Sequence, residues 1–282
     1  MSKKEKREEE PKNLPSLLNN PMTNYRVYYF SASEKVLWST IVLVSGGLVG
    51  LVFYGGMFKK DGAATLATYI ADIVVFLAVG AVATRFFVPA VKNMLKNRRD
   101  KQLKKQFIDL LETLSTSLSA GGTVNDAFLG AASDLQNQYT ENDMIIVELD
   151  EIVAGLKNGH SIENLLENFG QRSGNEDIEN FVNVMKNCYR LGGDFKNVVR
   201  KTKTIISDKI QISEEINTKV TSNKIQLYAM SLMPVIIVAM IKKAGSTFAE
   251  NLATPLGAVV ITIAIFVFVG AFIWGNKIID IK

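Results

Sequence analysis

"SLSAGGTVNDAF", Ser117 to Phe128, ends one helical pattern and opens another within four residues. Gly121 and Gly122 break the first pattern, and Thr123 stands where the next begins. Glycine closes helices because it takes the left-handed conformation without a Cβ penalty. Threonine opens them because its hydroxyl accepts from an orphan N–H of the first turn, contributing about 1 kcal/mol. The same grammar recurs in "NGHSIENLL", Asn158 to Leu166, and in "LGGDFKNVV", Leu191 to Val199. There Gly159 precedes a cap at Ser161, and Gly192 with Gly193 precedes a cap at Asp194. Val124, Ile162 and Phe195 follow the three caps directly. Three such joints predict tight helix reversals whose chemistry is structural.

The flanking segments carry the helical apolar period. Leu103, Phe107, Leu110, Leu111, Leu114 and Leu118 mark a first helix. Val124, Ala127, Phe128, Ala131 and Leu135 mark a second, and Ile145, Leu149, Ile152, Val153 and Leu156 a third. Ile162, Leu165, Leu166 and Phe169 give a short fourth, and Ile178, Phe181, Val182, Met185 and Tyr189 a fifth. A sixth runs from Phe195 through Val199, Ile206, Ile212, Ile216 and Val220. No proline lies between Pro89 and Pro234 to end it. No stretch alternates as a strand would, so the region reads as a six-helix, all-α bundle.

Beyond this bundle the chain of 282 residues turns apolar in four blocks. A membrane-spanning helix needs about 20 mostly apolar residues. Val36–Phe58, Ala63–Pro89, Ile225–Ile241 and Pro255–Ile273 each read as a span. Thr254 and Pro255 suit the start of the last, since the first turn of a helix does not need the N–H that proline lacks. Pro234 should kink the third span. The expected organisation is a tail at 1–35, a transmembrane hairpin at 36–90, a helical domain at 91–224, a second hairpin at 225–276 and a tail at 277–282. The opening residues to Pro21 read as a disordered tail rather than a cleavable signal. "YRVYYF", Tyr25 to Phe30, suits an aromatic belt at the membrane interface.

Lysine and arginine crowd before the first span and after the second, where Lys92, Lys96, Arg98, Arg99, Lys101, Lys104 and Lys105 fall. The hairpin loops hold only Lys59, Lys60, Lys242 and Lys243. The positive-inside rule then places both termini and the central domain in the cytoplasm of a multi-pass cell-membrane protein. A basic run beside a span favours anionic lipid over nucleic acid. Gly46 and Gly50 form a small face for close helix approach. Asp72 is a carboxylate within a span, a costly placement expected to be met by structural pairing.

Chemistry finds few residues. Cys188 is the only cysteine and reads as a small buried hydrophobe; His160, the only histidine, reads as a solvated joint residue. Neither sits in a cluster with metal-ligand spacing. The glycine pairs lack the strand, lysine and Ser/Thr of a phosphate-binding loop, and Asp194 would repel phosphate. No enzyme activity, cofactor or metal is expected.

At "LLETLSTSLSAGGTVNDAF", "GHSIENLLENF" and "NCYRLGGDFKNVV" the sequence resembles the type II secretion system F-domain family. Gly121, Ala127, Gly159, Gly192 and Gly193 occupy that family's motif positions, and Asp194 stands where Asn or a small residue is usual. The likeness covers about residues 103 to 240. One domain copy behind two N-terminal spans is similar to the TadB-type platforms of tight-adherence (Flp) pili, a plan the sister TadC-type platforms share. The resemblance implies an inner-membrane platform worked by a cytoplasmic hexameric ATPase, alongside a TadC-like platform, pilins and lipid, in homo- or hetero-oligomers. It makes the joints and their neighbours candidate docking residues: Gly121, Gly122, Asp126, Gly159, Glu163, Gly192, Gly193, Asp194 and Lys196. The rivals are a four-span transporter, which needs more intramembrane charge than Asp72 and Arg85, and a signalling scaffold, which needs a larger outer sensor.

Overall fold

A computed structural model describes residues 10–56, 65–243 and 254–279. The basic residues Lys3 to Arg7 and most of both hairpin loops lie outside them. The elements are β1 (Asn13–Pro15), β2 (Pro21–Thr23), α1 (Ala32–Tyr54), α2 (Leu66–Ser119), α3 (Val124–Gln136), α4 (Met144–Lys157), α5 (Ile162–Ser173), α6 (Glu176–Arg190), α7 (Phe195–Lys243) and α8 (Pro255–Ile279). The chain divides into two compact units, one of residues up to Tyr29 with Lys92–Ile212, the other of Phe30–Val91 with residues from Ser213 onward. Helices α2 and α7 contribute to both.

The first unit is the expected bundle. Its core holds Leu103, Phe107, Leu110, Leu111 and Leu114 of α2, Phe128 and Leu135 of α3, Ile145 and Leu149 of α4, Leu166 and Phe169 of α5, Phe181 and Met185 of α6, and Val199 and Ile206 of α7. These are the apolar positions of the helical period, one stripe per helix. Phe107 sits at the centre, edge-on to Phe181 with ring centres 5.4 Å apart and tilted against Phe169 at 6.3 Å. Ile212 and Ile216 continue the α7 stripe but are exposed, because α7's contacts with the bundle core end at Ile210. Tyr189 is likewise exposed. Cys188 is half-buried against the core.

Two expectations fail at the N-terminus. Residues 10–21 are not a disordered tail: β1 and β2 pair antiparallel, Asn13 opposite Thr23 and Leu14 opposite Met22. Strand alternation is too short in "NLP" and "PMT" to register as a pattern, and the hairpin is fixed by its turn. There Ser16 Oγ accepts from the N–H groups of Leu18 and Asn20, and Asn19 takes φ 61°. Nor does Tyr25 join a membrane belt; it is 6% exposed, inside the bundle core.

Among the described residues four helices are long and apolar enough to cross a membrane, and the protein is an all-α multi-pass membrane protein. Large side chains such as Ile73, Phe86, Phe266 and Trp274 are exposed along them, as lipid-facing residues would be. Within the second unit, α1 and the span segment of α2 meet on glycine. A Cβ on Gly46 would lie 2.6 Å from that of Ala83, and one on Gly80 would lie 2.7 Å from the Leu43 carbonyl. The small face of α1 therefore serves the neighbouring helix of the same chain. Tyr54 and Thr262 share a 2.9 Å hydrogen bond that joins α1 to α8, and the Tyr228 ring lies tilted against Phe272 between α7 and α8. Pro89 and Pro234 both lie inside helices, so the carbonyls four residues earlier lose their usual donors.

Candidate functional site

The three glycine joints share one backbone solution. Gly121, Gly159 and Gly192 take φ of +90°, +82° and +68°. A Cβ on any of them would meet nothing within 4 Å, so the conformation, not space, calls for glycine. The N–H one residue later returns to the carbonyl five residues back in every case: Gly122 to Ser117, His160 to Gly155 and Gly193 to Cys188. This closure satisfies the orphan carbonyls of the outgoing helix. The incoming caps differ. Thr123 accepts from the Asp126 N–H at 3.2 Å and donates its hydroxyl to the Asp126 carboxylate at 2.6 Å. Asp194 accepts from the Asn197 N–H at 3.0 Å. Ser161 stands at the cap position without a side-chain bond, and Glu163 in the first turn of α5 faces the positive helix end.

Helix alternation gathers these joints at one end of the bundle. Helices α3 to α6 pack in sequence. Gln106 of α2 donates to Asp143 and accepts from the Ile145 N–H, so the α3–α4 turn lies beside it. Asn175 donates to Asp100, so the α5–α6 turn lies at that same end. Glu112 pairs with Lys203, bringing the start of α7 alongside the far part of α2. Gly121, Gly159, Gly192, Gly193, Asp126, Asp194 and Lys196 are exposed there, while Gly122 and Glu163 are partly covered. Leu191, at 84% exposure, is the most open large hydrophobic residue of the bundle.

The opposite end holds a polar network that the sequence pattern did not reveal. Arg172 and Glu148, with 3% and 1% of their side chains exposed, form a two-pronged pair at 2.8 and 2.6 Å. Arg172 also donates from Nε to Asn168 Oδ1 and from Nη1 to the Thr23 carbonyl. The Tyr25 N–H returns to the Arg172 carbonyl at 2.9 Å. Burial raises the Tyr25 hydroxyl pKa, and the Glu148 carboxylate that accepts from it raises it further. Burial also pushes the Glu148 carboxyl up, against the opposing pull of Arg172. Burying a charge pair is expensive unless every donor and acceptor is matched, and here the N-terminal segment completes the matching. A fourth joint, Gly174 at φ +59° with Asn175 as N-cap, closes this end. Its signal is present in "SGNED", which repeats the glycine-then-cap grammar without a following apolar residue.

Asp177 ties three helices together, pairing with Lys104 of α2 and with Lys209 of α7 at 2.8 Å. Its partial burial works to raise its pKa, and the two lysines outweigh that and hold it low. Within the second unit, Asp72 accepts from the Gly56 N–H at 2.9 Å. Lys242 donates to the Phe53 and Gly55 carbonyls at 2.9 Å each. Both charges are thus spent on the end of α1, the lysine against its negative pole.

Among the described residues no His, Cys, Asp or Glu group is placed to hold a metal. A cavity of about 120 Å³ lies between Arg26, Glu167, Gly170, Glu179 and Val182. It is well below the roughly 300 Å³ at which small-molecule sites begin.

In chain order the bundle helices fall between two pairs of segments long and apolar enough to cross a membrane. Residues 110–241, from the bundle half of α2 to the end of α7, match the family model for type II secretion system (T2SS), protein F. The match supports the type II secretion system F family and leaves the N-terminal segment, α1, α2 before Leu110 and α8 outside it. No curated protein and no solved structure matches the chain.

Proposed function

We propose that this chain is an inner-membrane platform protein of a Tad/Flp-type pilus or type II secretion machine, of the TadB kind. A cytoplasmic ATPase docks on the bundle and its strokes move the platform, which helps lift pilin subunits into a growing filament. The observation that carries this is the family match falling on a bundle between two pairs of apolar helices. Several features support it. The excess of lysine and arginine before the first span and after the second favours a cytoplasmic placement of both termini and the bundle. The joint end offers the exposed Lys196 and the partly covered Glu163 to a partner. Asp72 is engaged by a backbone amide, which fits a structural role rather than an ion path. The platform acts with a paralogous TadC-like protein and is not itself an enzyme; its energy arrives through the docked ATPase.

The test is co-purification of the tagged full-length chain with the secretion ATPase of its own operon, together with loss of surface filaments on deleting its gene. Absence of ATPase capture under conditions that hold the membrane protein intact would defeat the proposal. So would ATP turnover by the purified chain alone.

A further inference from the structure

We infer that one face of the bundle, built by α4, α5, α6 and the bundle half of α2, is a peptide-binding site. Its ligand is the chain's own segment 10–29, and the docked segment anchors the polypeptide just before the first span. The anchoring role rests on the platform reading; the binding site does not.

The face reads main chain. Arg99 Nη2 donates to the Tyr25 and Val27 carbonyls at 2.9 and 2.6 Å, and its guanidinium lies over the rings of Tyr25 and Tyr28. Arg172 takes the Thr23 carbonyl and supplies its own carbonyl to the Tyr25 N–H. Asn168 donates to the Pro15 carbonyl at 3.4 Å. Main-chain bonds of this kind give affinity to an extended peptide, and pockets for single side chains give specificity. The specific pocket is that of Tyr25, whose ring is buried and whose hydroxyl meets Glu148. Arg26 adds an ion pair to Glu179, and Asn20 a hydrogen bond to Glu151.

The site and the ligand are each shaped for this contact. Gly174 leaves room for the segment to pass, since a Cβ there would lie 2.7 Å from Arg26 Cγ. The segment is held in its bound form by β1 and β2, and by Asn24, which binds the Pro11 and Lys12 carbonyls and the Arg26 N–H. Preorganisation of this kind lowers the ordering cost of binding. The occupant is assigned from the same structure, because the segment is seated there with Met22 and Asn24 buried.

Anchoring follows from chain length. Tyr29 ends the docked segment with Lys92 over its ring, and α1 opens at Ala32 with a Ser31–Glu34 capping box. Three residue steps reach at most about 10 Å when fully extended. The link between the docked segment and α1 therefore carries little slack.

The experiment places a protease site between Phe30 and Ser31 of the full-length, C-terminally tagged protein in detergent. After cleavage and washing, the fragment ending at Phe30 should stay on the column with the tagged remainder. Tyr25→Ala should shed it at least severalfold faster. So should Arg99→Met, which removes the donor to both carbonyls and lies outside the buried pair. A wild-type fragment that washes away at once overturns the site. Retention that occurs only on a second copy, read by mixing two tags, overturns the assignment in cis. The anchor is tested by the same cut in cells. Filament assembly should fall sharply while ATPase capture persists. Unchanged assembly after complete cleavage overturns the anchor and leaves the platform reading intact. Failure of the uncut protein to capture the ATPase removes the platform reading and leaves the retention result to decide the site.

Discussion

Arg172→Met is the perturbation the structure constrains most tightly. The guanidinium has 3% of its side chain exposed, faces a carboxylate with 1%, and makes four hydrogen-bonded contacts. Methionine keeps much of the volume, so little cavity forms, and the cost is electrostatic. It strands Glu148 with Tyr25 as its remaining donor. Removing one partner of a buried pair costs about 3 to 5 kcal/mol. At about 1.4 kcal/mol per tenfold, that predicts roughly a hundred- to several-thousandfold faster amide exchange. The probe is the Tyr25 N–H, which donates to the Arg172 carbonyl and reports opening of the N-terminal segment.

The cost should depend on pH. Burial already raises the Glu148 pKa, and losing Arg172 raises it further. A carboxyl with a raised folded pKa is favourable below its unfolded value, about 4.3, and that advantage is lost as pH rises through the folded value. The Arg172→Met defect should thus be small in mild acid and full at neutral pH. Adding Glu148→Leu removes the stranded charge, since apolar replacement of a whole buried pair is often near neutral. The double variant should exchange more slowly than Arg172→Met alone, with a residual cost of about 1 to 3 kcal/mol from the unpartnered Tyr25 hydroxyl. Tyr25→Phe in that background should recover most of it. Exchange in Arg172→Met that matches wild type within a few fold, or a double variant worse than either single, would refute the reasoning.

Lowering the pH should release α6 from α2 and α7. Asp177 is held below the usual carboxylate range, so its contribution is present above the unfolded pKa and is lost as pH falls through the folded one; an NMR titration of its carboxyl should show the low midpoint. Gly46→Val should destabilise the α1–α2 contact by about 1 to 3 kcal/mol through overpacking, read as earlier heat-induced aggregation of the full chain in detergent. Gly192→Val should cost about 1 to 2 kcal/mol because its φ is left-handed, and Asp194→Ala about 1 kcal/mol by loss of a cap; both are measured as faster exchange in the first turn of α7. Charge reversal at Glu163 and Lys196 together should weaken ATPase capture without changing that exchange, and unchanged capture would remove them from the docking surface.

Much of the fold was legible because periodicity, caps and apolar length are local signals. The six bundle helices, the left-handed glycines and the four spans all follow from residues within a few positions of one another. The N-terminal segment did not, because its order depends on partners up to 153 residues away, as in the Arg26–Glu179 pair. Its composition is that of a solvated tail, and only the receiving face explains it. For the same reason nothing in the sequence pattern singles out Arg172 and Glu148: a side chain's sequence neighbours do not reveal what covers it. Asp72 reads in the sequence as a charge in need of a partner, but the group it meets, a backbone amide just past α1, carries no sequence signature at all.

The two ends of the bundle are therefore unlike in a way that bears on function. At the turn end, Asp100, Asn175, Arg99, Arg172, Glu148 and Asp177 all have partners within the protein. At the joint end, Asp194 is spent as the cap of α7, and Asp126 accepts from the hydroxyl of Thr123, the cap of α3. Glu163 and Lys196 carry charge there without an ion pair among the described residues. A partner that recognises the joint end by charge must use such residues, whereas substitution of Asp126 or Asp194 alters helix starts before it alters any interface. The same division separates the proposals. The proposed docking lies at an end with exposed charge, and the proposed anchoring at an end where segment 10–29 completes the pairing of Arg99, Arg172 and Glu148.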